Sequence, residues 1–176
     1  MSTGTIYPYP VIDQPFYNST AATIEAGMIV QAAAAPVELK STIDPYATTR
    51  GPLEAEGTTT VIPIQKAASS TSDGNAAALG CALAEIKPSE WGVVRVYGPC
   101  LAKCTDTGNE AHLTAYGVDV TVDGSLAAIT AAAAKYTVAF QVGASGTTTA
   151  GDKRKVFMLG DRDQLGREAC EFGTFV

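Results

Sequence analysis

A chain of 176 residues is long enough to bury one sizeable core without disulfide staples, and it suits a single domain with at most an added arm. A formal net charge of -6 disfavours a nucleic-acid partner, and a content of 7% aromatic and 17% charged residues leaves Ala, Thr and Gly to set the texture, which favours short strands and turns over charged helices. No run of about 18 apolar residues marks a membrane span, and the opening MSTGTIYPYP lacks the basic-then-apolar order of a secretory signal. The expectation is a soluble protein made in a cytoplasm, with Cys81, Cys100, Cys104 and Cys170 as small free thiols.

Residues 1–20 differ from the rest. They hold Tyr7, Tyr9 and Tyr17 together with Pro8, Pro10 and Pro15. Proline favours extended chain, and tyrosine offers a large contact area with a polar tip. The pattern predicts an extended arm that lies on a surface, with Tyr7, Pro8, Tyr9, Pro10, Phe16 and Tyr17 as candidate contacts. Asn18-Ser19-Thr20 fits a glycosylation acceptor, which has no meaning without secretion.

The domain proper spans 21–160. Ile24 precedes a turn at Glu25-Ala26-Gly27, and Met28-Ile29-Val30 follows as a strand piece with Ile29 in the core. Three prolines and two glycines make 36–58 a long irregular loop. Residues 61–64 read as a strand whose Pro63 confines it to an edge. A turn region covers 67–75, and 80–86 reads as a strand. The clearest strand is 91–97, WGVVRVY, which Pro99 ends. Its alternation sends Val94 and Val96 to the core and Arg95 and Tyr97 to a neighbour or a second layer. Residues 104–117 are polar and loop-like. Asp123-Gly124 between 118–122 and 125–127 predicts a type I′ hairpin. An Ala-rich stretch at 127–134 has the composition of a helical turn. A strand follows at 136–142 with Val138 and Phe140 inward, then a loop at 143–152 and a last strand at 156–159 with Phe157 inward. Residues 161–176 form a charged C-terminal tail. The sum is an all-β barrel or sandwich with an extended N-terminal arm and irregular loops.

Nothing along the chain assembles a catalytic, cofactor or metal site. GTTTAGDK at 146–153 departs from a phosphate-binding loop, because Asp152 separates Gly151 from Lys153 and Arg154 replaces the metal-binding hydroxyl. Cys100 and Cys104 are ~13 Å apart on a straight strand, too far for a disulfide, and no second close pair completes a zinc site. His112, the sole histidine, sits in a polar segment and reads as a surface residue. Lys153-Arg154-Lys155 reads as a solvated loop, and Asp161, Arg162 and Asp163 as a local ion-pair cluster. This pattern points to a non-enzymatic assembly component without a cofactor.

The segment ALGCALAEIKPSEWGVVRVYGPCLAKC carries a family resemblance. Gly80-Cys81-Ala82-Leu83-Ala84-Glu85-Ile86 followed by Trp91-Gly92-Val93-Val94-Arg95-Val96-Tyr97-Gly98 resembles the paired strands of tailed-phage head decoration, or cement, proteins. Ile24 to Val30, turning at Ala26-Gly27, is similar to that family's first hairpin, and 135–142 to its later core strand. The resemblance implies a β-barrel or β-tulip domain on the outer capsid surface of a virion. Its implied partners are the major capsid protein and neighbouring copies of the chain, a trimer being favoured over a dimer. The arm and a barrel edge, including Arg95 and Tyr97, would then bind the capsid, and removal of residues 1–20 would leave the barrel folded. A host-surface module that binds a glycan or receptor is the alternative.

Overall fold

The computed structural model describes residues 11–33, 37–40, 58–61, 63–69, 78–129, 137–144, 146–147 and 149–160. They form an all-β structure without a helix among them, in the order β1 (Ile12–Tyr17), β2 (Ile29–Ala32), β3 (Val37–Lys40), β4 (Thr58–Val61), β5 (Ile64–Lys66), β6 (Ala78–Ala82), β7 (Trp91–Lys103), β8 (Ala115–Val118), β9 (Leu126–Ala128), β10 (Ala139–Gln141) and β11 (Lys153–Leu159). Nine strands make one antiparallel sheet in the order β5-β2-β6-β7-β11-β10-β8-β9, with β1 added on β7; β3 and β4 pair separately. No helix among the described residues is long and apolar enough to cross a membrane.

The organising element is β7, and it is longer than its sequence suggests. Pro99 does not end it. The strand bends instead at Gly98, whose φ of 113° belongs to the left-handed region that glycine accepts without strain. Cys81 of β6 pairs with Arg95, yet its Sγ lies 3.6 Å from the carbonyl oxygen of Leu101, six residues further on. The Arg95 guanidinium also donates through Nη1 to the Pro99 carbonyl across the bend. The first half of β7 therefore lies between β6 and β1, since Arg95 pairs with both Cys81 and Asp13. The second half pairs with β11 from Tyr97 to Lys103. The sheet curls on from there into a half-barrel, and Leu126 of β9 bridges back to Cys104 just past the end of β7.

Two buried clusters result. One fills the concave interior with Ile29, Cys81, Ala102, Tyr116, Leu126, Val156 and Met158 among others. The second lies on the other face of β2 and β6, around Ile24, Val30, Ile64, Ala82, Ile86 and Val94. Adjacent residues Ile29 and Val30, like Cys81 and Ala82, thus enter different clusters, which is why these short strands read as continuous apolar runs.

Several expected elements shift. The turn at Glu25 to Met28 exists, with Gly27 at φ 91°, but its flanks do not pair as a hairpin: Ile24 bridges to Ile86 and Ile29 pairs with Cys81. The segment 61–64 is broken at Pro63 into β4 and the edge strand β5. Part of the expected loop 36–58 is strand β3. The strand expected at 80–86 is Ala78–Ala82, and Ala115–Val118 emerges from the supposed loop 104–117. A hairpin does join β8 and β9, but its turn begins at Asp119. The Asp119 carboxylate accepts from Thr121 N (2.5 Å), Thr121 Oγ1 (2.7 Å), Val122 N (2.8 Å) and Thr105 Oγ1. Those bonds replace ladder pairing over the residues expected as strand.

Ile29, Val94, Val96 and Val138 are buried, whereas Phe140 and Phe157 are only partly so. The inward residues of β10 are Ala139 and Gln141, and those of β11 are Arg154, Val156 and Met158. Polar inward residues inverted the apparent phase. Tyr116 Oη donates to Gln141 Oε1 at 3.0 Å, and Arg154 Nη2 donates to the carbonyls of Asp106 (2.7 Å) and Gly108 (2.8 Å). Lys153-Arg154-Lys155 is consequently a strand segment with a buried middle residue, not a solvated loop.

Candidate partner surface

The ribbon of β1 and the first half of β7 carries the candidate surface. Pro15 is tolerated in β1 because, among the described strands, β1 pairs on one side only, with β7. The register sets Tyr17 against Trp91, Pro15 against Val93 and Asp13 against Arg95, and paired residues share a face. That face points outward. Trp91 is 53% exposed and Val93 45%, with exposed Leu83 alongside, its N–H donating to the Val93 carbonyl.

Three features hold the strip rigid. The Arg95 fork grips Asp13 with Nε–Oδ1 2.6 Å and Nη2–Oδ2 2.9 Å, a bidentate geometry. Asp13 raises the Arg95 pKa above its ordinary value. The Tyr17 and Trp91 rings meet at 5.7 Å with a 58° tilt. Gly92 lets the strand close onto the second core, since a Cβ there would stand 2.2 Å from Ile86 Cγ1.

Asn18, directly after β1, anchors the ribbon. It is fully buried; its Nδ2 donates to the carbonyls of Ala22 (2.9 Å), Ile86 (3.1 Å) and Lys87 (3.2 Å), and its Oδ1 accepts from Thr20 N (3.0 Å) and Oγ1 (2.8 Å). The Asn18-Ser19-Thr20 triplet is a structural hub.

The expected contact residues separate accordingly. Tyr7, Pro8, Tyr9 and Pro10 lie outside the described residues. Phe16 points to the opposite face of the ribbon and packs against the second core, so it anchors β1 within the chain. Tyr17 stays on the outer face. Tyr97 packs edge-to-face on Phe157 of the adjacent strand β11 (5.0 Å, 90°), and Arg95 is engaged by Asp13 of the adjacent strand β1; both contacts lie within the one sheet and not in a second layer. Trp91, Val93 and Leu83, exposed large hydrophobic residues, were not among the expected contacts. The legible signal was the placing of the chain's single tryptophan in phase with Val93, on the face opposite Val94 and Val96.

Elsewhere, His112 is exposed and accepts from Gly143 N at Nδ1 (2.9 Å). In the loop before β11, Thr149 N donates to Asp152 Oδ2 (2.7 Å). The tail cluster at Asp161, Arg162 and Asp163 lies outside the described residues, as does Cys170. Among the described residues, no group of three or more His, Cys, Asp or Glu side chains is placed to hold a metal. Buried Tyr116 has its pKa pushed up to about 12 by loss of solvation, as does Cys104. A shift in that direction keeps both groups neutral at ordinary pH. The ribbon presents an exposed apolar strip flanked by a neutralised ion pair.

No family model and no curated protein matches the chain. Among solved structures, the chain is similar to the N base of head fiber gp8.5 from bacteriophage phi29, with 9% identity, 84% of this chain and 94% of that chain covered, and a TM-score of 0.47.

Proposed function

We propose that the chain is a structural virion protein that binds the outer surface of a phage head and cements its shell subunits through the β1–β7 ribbon and the residues ahead of it. The observation that carries this reading is the exposed Trp91–Val93–Leu83 strip on a ribbon pinned by Asp13–Arg95 and Asn18. An exposed large aromatic in a rigid setting adds contact area at little entropic cost on binding. Residues 1–10, rich in Tyr and Pro, precede β1 in the chain and offer further contact side chains. Repetition over a lattice turns individually weak contacts into firm attachment.

The test is co-sedimentation of the purified chain with expanded heads of its phage. Trp91→Ala and Val93→Ser should each weaken capsid binding at least ~10-fold, the loss of about 1.4 kcal/mol that a well-buried contact supplies, with the fold retained. Removal of residues 1–10 should weaken it further. Wild-type capsid binding by the Trp91→Ala/Val93→Ser double variant would overturn the use of this surface. Attachment to bacterial cells with no affinity for heads would favour the host-surface reading instead.

A further inference from the structure

Cys81 pairs across the sheet with Arg95, while Cys100 lies five residues further along β7. On a straight strand that offset is ~16 Å at about 3.3 Å per residue, well beyond the ~7 Å between Cα atoms that a disulfide tolerates. The bend at Gly98 removes the separation. Cys81 Sγ comes within 3.6 Å of the carbonyl oxygen of Leu101, the residue that follows Cys100. Both pack against the concave core, Cys81 completely buried and Cys100 partly open to solvent. Sequence spacing drew attention to Cys100 with Cys104; the fold brings Cys100 to Cys81.

We propose that Cys81 and Cys100 are a latent cross-linking site, converted by a small-molecule disulfide into an intramolecular bond that ties β6 to the far half of β7. Cys100, the thiol that solvent reaches, gives up its proton and attacks one sulfur of the small disulfide. A mixed disulfide forms, and the displaced thiolate takes up a proton. Cys81 then gives up its proton and attacks the Cys100 sulfur, which releases the second small thiolate to be protonated in turn. Two protein thiols are oxidised, and one small disulfide is reduced to two thiols. The neighbouring Cys100 thiol and then burial hold the Cys81 pKa well above its usual value; burial persists once Cys100 is capped, so the second step is the slow one. The bond closes a loop over residues 82–99 and restrains the unfolded chain.

The experiment treats the full-length chain with oxidised glutathione and maps its cysteines by peptide mass spectrometry without reduction. The expected product is a linked Cys81–Cys100 peptide pair, a loss of two titratable thiols per chain, and a thermal midpoint raised by several degrees that reductant reverses. Cys81→Ala and Cys100→Ala should each abolish the linked pair and the shift, while Cys104→Ala and Cys170→Ala keep both. Because Cys81→Ala opens space in the core, its far-ultraviolet circular dichroism is compared with wild type, and Cys100→Ala gives the independent reading. A Cys100–Cys104 link, a dimer joined through Cys100, or stable glutathionylation of Cys100 without closure would each overturn the proposal.

Discussion

Replacement of Asn18 by alanine tests the structural hub beneath the candidate surface. The side chain supplies two N–H donors shared among three carbonyls, of Ala22, Ile86 and Lys87, and one acceptor used twice by Thr20. The Ile86 bond is fully buried, and its carbonyl also accepts from Ile24 N (3.0 Å), so it is not wholly orphaned by the change. Truncation removes three donor contacts worth about 1 kcal/mol each, giving a loss of ~3 kcal/mol. For a chain of this size, that lowers the thermal midpoint by about 9 °C. Asn18→Asp is the sharper probe. It keeps the oxygen that Thr20 uses but sets a second oxygen against three carbonyls, so it should destabilise at least as much as alanine. Urea unfolding followed by the fluorescence of the single tryptophan, Trp91, reads both variants, because Glu90 beside it accepts from Asn18 N at 3.0 Å. An alanine variant within ~0.5 kcal/mol of wild type, or an aspartate variant clearly more stable than the alanine one, would refute the reasoning, since surface-like tolerance is about that size.

Three further outcomes follow from individual sites. Gly80→Ala should cost ~3 kcal/mol or abolish folding, because its Cβ would stand 2.4 Å from the Arg95 carbonyl oxygen and 2.8 Å from Val94 Cγ1, and overpacking against backbone has no cheap relief; Gly146→Ala, with open space around it, is the neutral control in the same thermal melt. Arg154→Ala should destabilise by about 3 kcal/mol through the loss of a buried charged donor, and limited proteolysis should then cut near Asp106–Gly108, whose carbonyls it holds. Burial of Asp119 would raise its pKa, but the hydrogen bonds from Thr105, Thr121 and Val122 outweigh that and lower it. Its contribution is therefore fully present above the unfolded value of about 3.9 and lost as pH falls through the lower folded value. Asp119→Asn should be less stable than wild type at neutral pH, and denaturant midpoints should show the gap narrowing as pH drops below about 4.

The structure also moves the point at which the N-terminal segment can be cut. Removal of residues 1–20, expected from sequence to spare the barrel, would take away β1, the Phe16 anchor and the buried Asn18. A cut that keeps β1, Phe16 and Asn18 falls ahead of Ile12. Residues 12–17 looked like an arm because Pro15 and the absence of clean alternation hid a strand that, among the described strands, pairs with β7 alone.

Composition and alternation were enough for the all-β class, for the inward placement of Val94 and Val96, and for turns at Gly27 and near Gly124, because a positive φ and a pleat of period two leave local marks. The phase of β10 and β11 was not legible. Gln141 and Arg154 face inward only because Tyr116 and the carbonyls of Asp106 and Gly108, distant in sequence, satisfy them. The same limit applies to the surface. Tyr17, Trp91, Pro15 and Val93 form one strip only through the register of β1 on β7, and Cys81 reaches the Leu101 carbonyl, next to Cys100, only because β7 bends at Gly98. Local sequence determined which residues extend and where the chain turns; tertiary pairing decided what each strand lies against, since a partner many residues away leaves no local trace.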